Sequence, residues 1–255
     1  MPRVVIFDEI GDADVLHIVD EPLTEPASGE VRVRIEAIGI NRADQMMRTG
    51  FYLRAAQLPR ARLGCEGTGI IDAIGPGVDN VAVGDAVLIT AVPDMDIRGT
   101  YAEYTNVPAT SVIPRPAGVD PTTAAALWVV YSTAYGALIE KARMQPGDRL
   151  LITAASSAVG LAAIQVANQI GAIPIAVTRS AAKKEELLSA GAAAVITTDT
   201  EDVVKATQRY TNGVGVDIIL DSIMGPGLLD LAKAAKFSGT LVTVGWLDTR
   251  PAPSR

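Results

Sequence analysis

The chain has 255 residues, 49% of them hydrophobic and 20% charged, a composition typical of a globular protein with one or two domains. Its formal net charge of −7 argues against nucleic acid as a main partner, because phosphate binding requires clustered lysine and arginine. One cysteine, Cys65, and one histidine, His17, exclude an intramolecular disulfide and a zinc site built from several such residues. With no apolar stretch of about 18–20 residues and an acidic N-terminal segment, we expect a cytoplasmic protein without a membrane span.

The first half of the chain has the pattern of a small all-β barrel. Short apolar runs between turn residues predict strands at residues 4–7, 31–38, 69–74, 86–89 and 103–107. In the second of these runs charged and apolar residues alternate, as in a half-buried strand. The glycine-containing segments 39–44 and 64–69 are compatible with simple turns between strands.

The second half alternates strand and helix. Domains are predicted at residues 1–118 and 119–255, because prolines precede a helical pattern that runs from Pro121 through Leu127 to Tyr131. Strands are then predicted at 150–153, 174–177, 194–196, 216–220 and 240–244, and helices at 158–170, 181–190, 201–210 and 227–235. Such alternation predicts a parallel sheet with helices on both faces.

The turn after the strand at 150–153 has the position of a phosphate-binding loop. It leads straight into a helix, although Ala155 and Ser157 replace two glycines of the usual dinucleotide fingerprint. Gly160 would let the helix pack close to the strand, and the helix N-terminus would offer N–H groups to a pyrophosphate. An ordinary turn with a serine N-cap is the alternative. The candidate cofactor residues here are Ala155, Ser156, Ser157, Ala158, Val159 and Gly160.

The end of the next strand favours NADPH over NADH. NAD sites usually have an acidic residue about 20 residues after the loop. This chain has Thr178, Arg179, Ser180 and Lys183 there, and its first acid is Glu185. Arginine can bind a 2′-phosphate through two hydrogen bonds, and cations at a helix start are unfavourable without such a ligand. A solvated helix start is the alternative.

In their order and spacing, these motifs resemble the medium-chain dehydrogenase/reductase superfamily, in particular its zinc-independent quinone oxidoreductase branch. The residues that carry the resemblance are Gly-Ile-Asn at 39–41 with Asp44, Arg48, Gly50 and Tyr52, Gly-Cys-Glu-Gly-Thr-Gly at 64–69, Tyr-Ser-Thr-Ala-Tyr at 131–135, and 154–167. The resemblance spans essentially the whole chain. It implies an α/β protein in which a GroES-like β-barrel domain precedes a Rossmann domain with a doubly wound parallel sheet.

The resemblance implies a reaction without a metal ion. Zinc members have a cysteine at the position of Asn41 and a histidine at that of Cys65, so this chain lacks the pair that holds a catalytic zinc. The implied reaction is hydride transfer from NADPH to a quinone or an α,β-unsaturated carbonyl compound. Cys65 is expected to be a buried packing residue.

By the same resemblance, Asn41 and Tyr52 are the catalytic candidates near the nicotinamide and the substrate, where each can donate a hydrogen bond. A turn residue and a packed ring are the alternatives. Thr133 is implied to contact the cofactor. Val244, Gly245 and Trp246 are implied to flank the nicotinamide ribose.

Other functions stay open at this stage. The same fold could serve an enoyl-thioester reductase or an alcohol dehydrogenase-like enzyme without zinc, and a non-catalytic nucleotide-binding or structural relative is a further alternative. Family members continue beyond the point where this chain ends at 247–255, with part of the substrate cleft and a strand used for pairing in homodimers. We therefore expect this chain to lack those features.

Overall fold

The computed structural model describes residues 1–92 and 94–251. The chain divides into two compact units, Met1–Val129 and Val130–Arg255. The division lies later in the chain than the predicted domain boundary at 118–119. The helix Pro121–Ala125 packs on strands of the first unit and therefore belongs to it. Within the described residues, no helix combines the length and the apolar character of a membrane-spanning segment.

The first unit consists mainly of antiparallel strands. Its strands are β1 (Arg3–Phe7), β2 (His17–Asp20), β3 (Glu30–Ile38), β4 (Ala61–Arg62), β5 (Gly67–Ile74), β6 (Ala86–Ile89), β7 (Tyr104–Pro108) and β8 (Val112–Pro114). They form a sheet of order β2-β1-β4 and a sheet of order β7-β3-β5-β6-β8. Its helices are α1 (Arg42–Arg48), α2 (Met95–Arg98) and α3 (Pro121–Ala125).

Alternation along the strands of the first unit separates its core from its surface. In β3, Val31 and Val33 are fully buried, whereas Arg34 and Glu36 are exposed. Val31 and Val33 join Ile71 and Val87 in one apolar cluster inside the five-stranded sheet. The predicted β-rich first half is confirmed.

The second unit is a parallel α/β sheet. Its strands are β9 (Arg149–Ile152), β10 (Ile173–Thr178), β11 (Ala194–Thr197), β12 (Val216–Asp221) and β13 (Ala235–Thr243). Its helices are α5 (Ala158–Ile170), α6 (Lys184–Ser189), α7 (Val203–Tyr210) and α8 (Leu228–Ala232), and they follow α4 (Trp128–Tyr135), which begins in the first unit and is continued by the π-helical turn Gly136–Lys141.

The strand order β11-β10-β9-β12-β13 makes this a doubly wound sheet. All its pairings are parallel. The chain builds outward from β9 through β10 to β11 and then returns to β12, so the winding direction reverses between β9 and β12. In such sheets, ligands bind at this switch point, outside the carboxyl ends of the two strands.

Helices cover both faces of the sheet. Leu150 and Ile152 belong to one buried cluster, together with Ala163 of α5, whereas Leu151 between them belongs to the cluster on the opposite face with Ala206 of α7. Two apolar faces explain why the strands are continuous apolar runs. The predicted fold class is confirmed.

Several predicted elements have different bounds. The single helix predicted from Pro121 through Leu127 to Tyr131 is divided into α3 and α4, because Ala126 is not in the helical conformation. The segment 39–44, expected as a turn, begins helix α1 with Asn41 as its N-cap. The strand predicted at 240–244 begins at Ala235, so helix α8 before it is shorter than predicted.

Candidate functional site

The loop between β9 and α5 is built around a close backbone contact. A Cβ atom on Gly160 would lie 2.5 Å from the carbonyl oxygen of Ala155 and 2.6 Å from its Cα, so only glycine fits. Ala155 is fully buried, and its N–H donates to the Val177 carbonyl oxygen at 3.1 Å. The missing side chain at Gly160 therefore lets the start of α5 lie directly on the loop.

The first turn of α5 presents free N–H groups. Ser157 is the N-cap, and its hydroxyl accepts a hydrogen bond from the Gly160 N–H at 3.1 Å. The N–H groups of Ser156, Ala158 and Val159 have no acceptor in the part of the chain that the structure describes. Unpaired N–H groups and the positive end of the helix dipole can together bind an anion.

An unpaired arginine follows β10. Thr178 at the end of the strand is buried, whereas Arg179 and Ser180 are exposed. The Ser180 hydroxyl accepts from the Ala182 N–H at 3.2 Å, and Lys183 forms an exposed ion pair with Glu186 at 3.1 Å. The Arg179 guanidinium has no ion pair or hydrogen bond within residues 1–92 and 94–251. Its charge is available to a ligand, while that of Lys183 is partly offset by Glu186.

Two further predicted segments lie in the second unit. Val244, Gly245 and Trp246 come directly after β13, and a Cβ on Gly245 would be 3.1 Å from the Ser222 carbonyl oxygen, so this segment runs along the end of β12. Thr133 lies half-buried in α4, next to Ala134, which shares an apolar cluster with Ala155.

In the first unit, Asn41 is held by two carboxylates. Its backbone N–H donates to Asp44 Oδ2 at 2.7 Å, which closes a capping box at the start of α1. Its side-chain Nδ2 donates to Glu66 Oε1 at 2.8 Å, and Glu66 Oε2 accepts the Val129 N–H at 2.8 Å. Glu66 is 2% exposed, so it fixes the Asn41 amide from inside the unit.

Asp44 and the groups around it have raised pKa values. Asp44 is 3% exposed; its Oδ2 accepts the Tyr101 hydroxyl at 3.0 Å, and its Oδ1 has no hydrogen-bond partner among the described residues. Burial raises the pKa of the Asp44 carboxyl, against the hydrogen bonds it accepts from Asn41 and Tyr101. Burial likewise raises the pKa values of Glu66, of the Tyr52 phenol and, strongly, of the Cys65 thiol, and the nearby charge of Asp44 adds to all three shifts.

The donor set at these positions does not fit zinc. Zinc sites use deprotonated cysteine, neutral histidine or carboxylate ligands in tetrahedral groups. Here Cys65 is a buried thiol with a raised pKa, the Asn41 amide is bonded to Glu66, and His17 lies on β2 beside Asp8. Among the described residues, no group of three or more histidine, cysteine or acidic side chains is placed to hold a metal ion.

Known proteins match both units. Residues 27–117 match the family described as "Alcohol dehydrogenase GroES-like domain" and residues 158–254 the one described as "Zinc-binding dehydrogenase". A solved structure of an NAD-dependent alcohol dehydrogenase is 31% identical, with a TM-score of 0.88, over 98% of this chain and 80% of that one. The chain belongs to the medium-chain dehydrogenase/reductase superfamily. The donor set at positions 41 and 65 does not fit the zinc ion that the second family's description names.

Other members of this superfamily show how varied its reactions are. An Escherichia coli quinone oxidoreductase complexed with NADPH is 28% identical, with a TM-score of 0.88, over 99% of this chain and 76% of that one. CurK enoyl reductase is 29% identical, with a TM-score of 0.85, over 96% and 74%. The human synaptic vesicle membrane protein VAT-1 homolog is 31% identical over 99% of the chain. The chain spans 63% of that relative's length.

Sequence reasoning missed the polar groups that support these segments. The sequence does not indicate Tyr101 or Asp221. It indicates Thr153 only as the end of a strand, and Glu66 as a motif residue with a structural rather than a catalytic role. Thr153 and Asp221 are 68 positions apart and meet only because β9 and β12 pair in register. A buried acid at the end of an apolar strand is the one sequence signal that could have indicated Asp221.

Proposed function

We propose that the chain is an NADPH-dependent oxidoreductase that reduces quinones or α,β-unsaturated carbonyl compounds without a metal ion. The observation that carries the choice of NADPH is the Arg179 guanidinium at the end of β10, which has no hydrogen bond or ion pair among the described residues, in a sheet whose switch point also has the N–H groups of the first turn of α5. When bound, NADPH would supply the hydride. The solved NADPH complex of a similar quinone oxidoreductase supports the choice of cofactor.

On the cofactor side, the chain's own residues would bind and orient phosphates. The N–H groups of Ser156, Ala158 and Val159 would bind the pyrophosphate, which the positive end of α5 also attracts. Arg179 would bind the 2′-phosphate through its planar guanidinium, assisted by the Ser180 backbone and Lys183. Val244, Gly245 and Trp246 would lie against the ribose beside the nicotinamide.

On the substrate side, Asn41 and Tyr52 would donate hydrogen bonds to the carbonyl oxygen. Glu66 takes one hydrogen of the Asn41 Nδ2 group and leaves the other for a ligand. The raised pKa of Tyr52 keeps its phenol protonated at neutral pH, so it stays a donor. Two such donors would polarise the conjugated carbonyl, and solvent or Tyr52 would supply the final proton.

A related reaction, enoyl-thioester reduction, is the second candidate. The similarity to CurK enoyl reductase favours it, because that protein matches over 96% of this chain. The substrates of the two candidate reactions share a conjugated carbonyl group and differ in the group attached to it. Comparing a simple enone with an enoyl thioester as acceptors would separate them.

The test is acceptor-dependent oxidation of NADPH by the purified chain, with a quinone, an enone and an enoyl thioester as acceptors. Tyr52→Phe should lower kcat/KM by about 100-fold through the loss of one donor to the developing oxyanion. Tyr104→Phe, which removes a half-buried phenol from β7, is the matched control and should leave kcat/KM unchanged. Binding of NADPH without turnover of any acceptor would instead support a non-catalytic relative.

A further inference from the structure

A nearly fully buried carboxylate lies at the carboxyl end of β12. Asp221 is 1% exposed. Its Oδ1 accepts the Thr153 hydroxyl at 2.6 Å and the Ile223 N–H at 3.1 Å, and its Oδ2 accepts the Met224 N–H at 2.8 Å. A carboxylate buried in this way is retained only where hydrogen bonds replace its lost hydration.

Thr153 connects this carboxylate to the neighbouring strand. Its hydroxyl donates to Asp221 and accepts from the Ser222 N–H at 3.0 Å, and its backbone N–H donates to the Leu220 carbonyl oxygen at 3.0 Å. Thr153 directly follows β9, so the pair joins the carboxyl ends of the two strands that flank the switch point.

Two strained residues flank the pair. Ala154, immediately after Thr153, has φ +46°, and Met224, whose N–H is bound by Asp221, has φ +59° and ψ −138°. Non-glycine residues rarely adopt these conformations, which persist where the surroundings determine them and which cluster at functional sites. The hydrogen bonds of Asp221 and Thr153 lie next to both of these residues.

The segment after β13 is hydrogen-bonded to the turn that contains Asp221. The Val244 N–H donates to the Asp221 carbonyl oxygen at 2.9 Å, and the Leu247 N–H donates to that of Ser222 at 3.2 Å. The Asp248 N–H donates to the Ile223 carbonyl oxygen at 2.9 Å. The Asp221 turn, residues 221–224, therefore lies between the start of the phosphate loop and the segment 244–246.

We infer that Thr153 and Asp221 are positioning residues for NADPH: they fix the loop that begins at Ala154 relative to the segment 244–246, so that both can contact one cofactor. This inference rests on the proposed function, because both segments are cofactor candidates only there. Neither side chain needs to touch NADPH. Their effect is on the spacing of the groups that do.

The test uses two Thr153 variants and a matched control. Thr153→Val keeps the shape but leaves the Ser222 N–H and one Asp221 lone pair unsatisfied, whereas Thr153→Ser keeps the hydroxyl. Thr197→Val is the control, because Thr197 is also a buried threonine at the end of a strand, β11, and among the described residues its hydroxyl is bonded only to Thr200 and Glu201. Thermal unfolding and the NADPH dissociation constant are measured for each variant.

Thr153→Val should weaken NADPH binding about tenfold, because the loop and the segment 244–246 would no longer be held in advance at the spacing that one cofactor needs. Thr153→Ser should restore binding to near the parent value. Thr197→Val should lower the unfolding temperature without changing NADPH affinity. Equal NADPH affinity of Thr153→Val and the parent chain would overturn the inference and leave the proposed function intact, whereas failure of the parent chain to bind NADPH would overturn both.

Hydrogen exchange on the parent chain keeps the inference testable if Thr153→Val does not fold. Bound NADPH should slow amide exchange at Met224 and Leu247 as well as in the loop 154–160, because the Asp221 turn couples them. Protection confined to the loop would contradict the inference.

Discussion

Each unit contains a buried carboxylate that forms no ion pair among the described residues, Asp221 in the second unit and Asp44 in the first. The two carboxylates differ in how many hydrogen bonds they accept. In the second unit, all the oxygens of Asp221 accept hydrogen bonds from a hydroxyl and two N–H groups. In the first, Asp44 Oδ1 has no hydrogen-bond partner among the described residues, and burial raises the pKa of that carboxyl. The comparison indicates that Asp221 is a fixed part of a turn, while the Asp44 carboxyl is buried with fewer hydrogen bonds than its two oxygens could accept.

The physical origin of the difference is local. Asp221 ends a strand, so the N–H groups of the next residues in the turn point back to its carboxylate. Asp44 lies in the first turn of α1, close to Cys65, Tyr101 and Tyr52, where only its Oδ2 accepts hydrogen bonds of good geometry from the described residues. The same residue type therefore has different chemistry in the two places.

The largest expected effect comes from making Asp221 neutral. Asp221→Asn places an NH₂ group against N–H donors of the turn, so we expect the free energy of unfolding to fall by about 3 kcal/mol. Urea unfolding measures this change. Asp230→Asn, at an exposed ion pair on α8, is the control and should shift the free energy by no more than about 0.5 kcal/mol. A loss below about 1 kcal/mol for Asp221→Asn would remove the structural distinction between the two carboxylates.

A second effect concerns the close contact at the phosphate loop. Gly160→Ala should cost about 1–3 kcal/mol in unfolding free energy, because the added Cβ meets backbone atoms of Ala155 that cannot move aside. It should also abolish NADPH binding in a fluorescence titration. Gly136→Ala is the matched control: a Cβ there meets nothing within 4 Å, so the change should be neutral or stabilising. NADPH binding by Gly160→Ala at parent affinity would show that the contact does not shape the site.

An effect of intermediate size is expected from substituting Glu66 in the first unit. Both its side-chain oxygens accept hydrogen bonds, so Glu66→Gln leaves either the Asn41 amide or the Val129 N–H facing a donor. We expect a loss of about 1–2 kcal/mol in unfolding free energy and a lower kcat with little change in the NADPH dissociation constant. An equal fall in NADPH affinity would contradict the assignment of Glu66 to the substrate side.

The smallest effect is predicted for Asp44→Asn, and it depends on pH. Asparagine can keep the carbonyl oxygen toward Asn41 and Tyr101 and place NH₂ at the position of Oδ1, which has no hydrogen bond of good geometry to the described residues, so we expect a change within about 1 kcal/mol near pH 5. The pKa of Asp44 is raised in the fold. The parent chain therefore loses stability as pH rises from the unfolded value near 4 through the folded value, and the variant lacks this contribution from Asp44.

Urea unfolding of both proteins between pH 5 and pH 8 measures this dependence. The stability of Asp44→Asn relative to the parent should increase with pH. Parallel curves for the two proteins would show that Asp44 ionises in the fold as it does in the unfolded chain.

The sequence predicts the strands well, because a strand buried on one face alternates apolar and polar residues and a strand buried on both faces is a continuous apolar run. It also predicts the role of Gly160 in packing, since helix and strand are adjacent in the chain. Helix α1 was not predicted because its seven residues carry no clear apolar period. The bond between Thr153 and Asp221 could not be predicted, because it depends on the register of β9 against β12 rather than on any local pattern.

The central claim is that the second unit binds NADPH in preference to NADH through Arg179. The most direct measurement is a pair of nicotinamide fluorescence titrations, with NADPH and NADH, on the parent chain, Arg179→Gln and Lys205→Gln, which makes the same charge change on α7. We predict that the parent binds NADPH at least about tenfold more tightly than NADH. Arg179→Gln should lose most of that difference and Lys205→Gln none of it. Equal affinities for the two cofactors in the parent chain, or tighter binding of NADH, would contradict the claim.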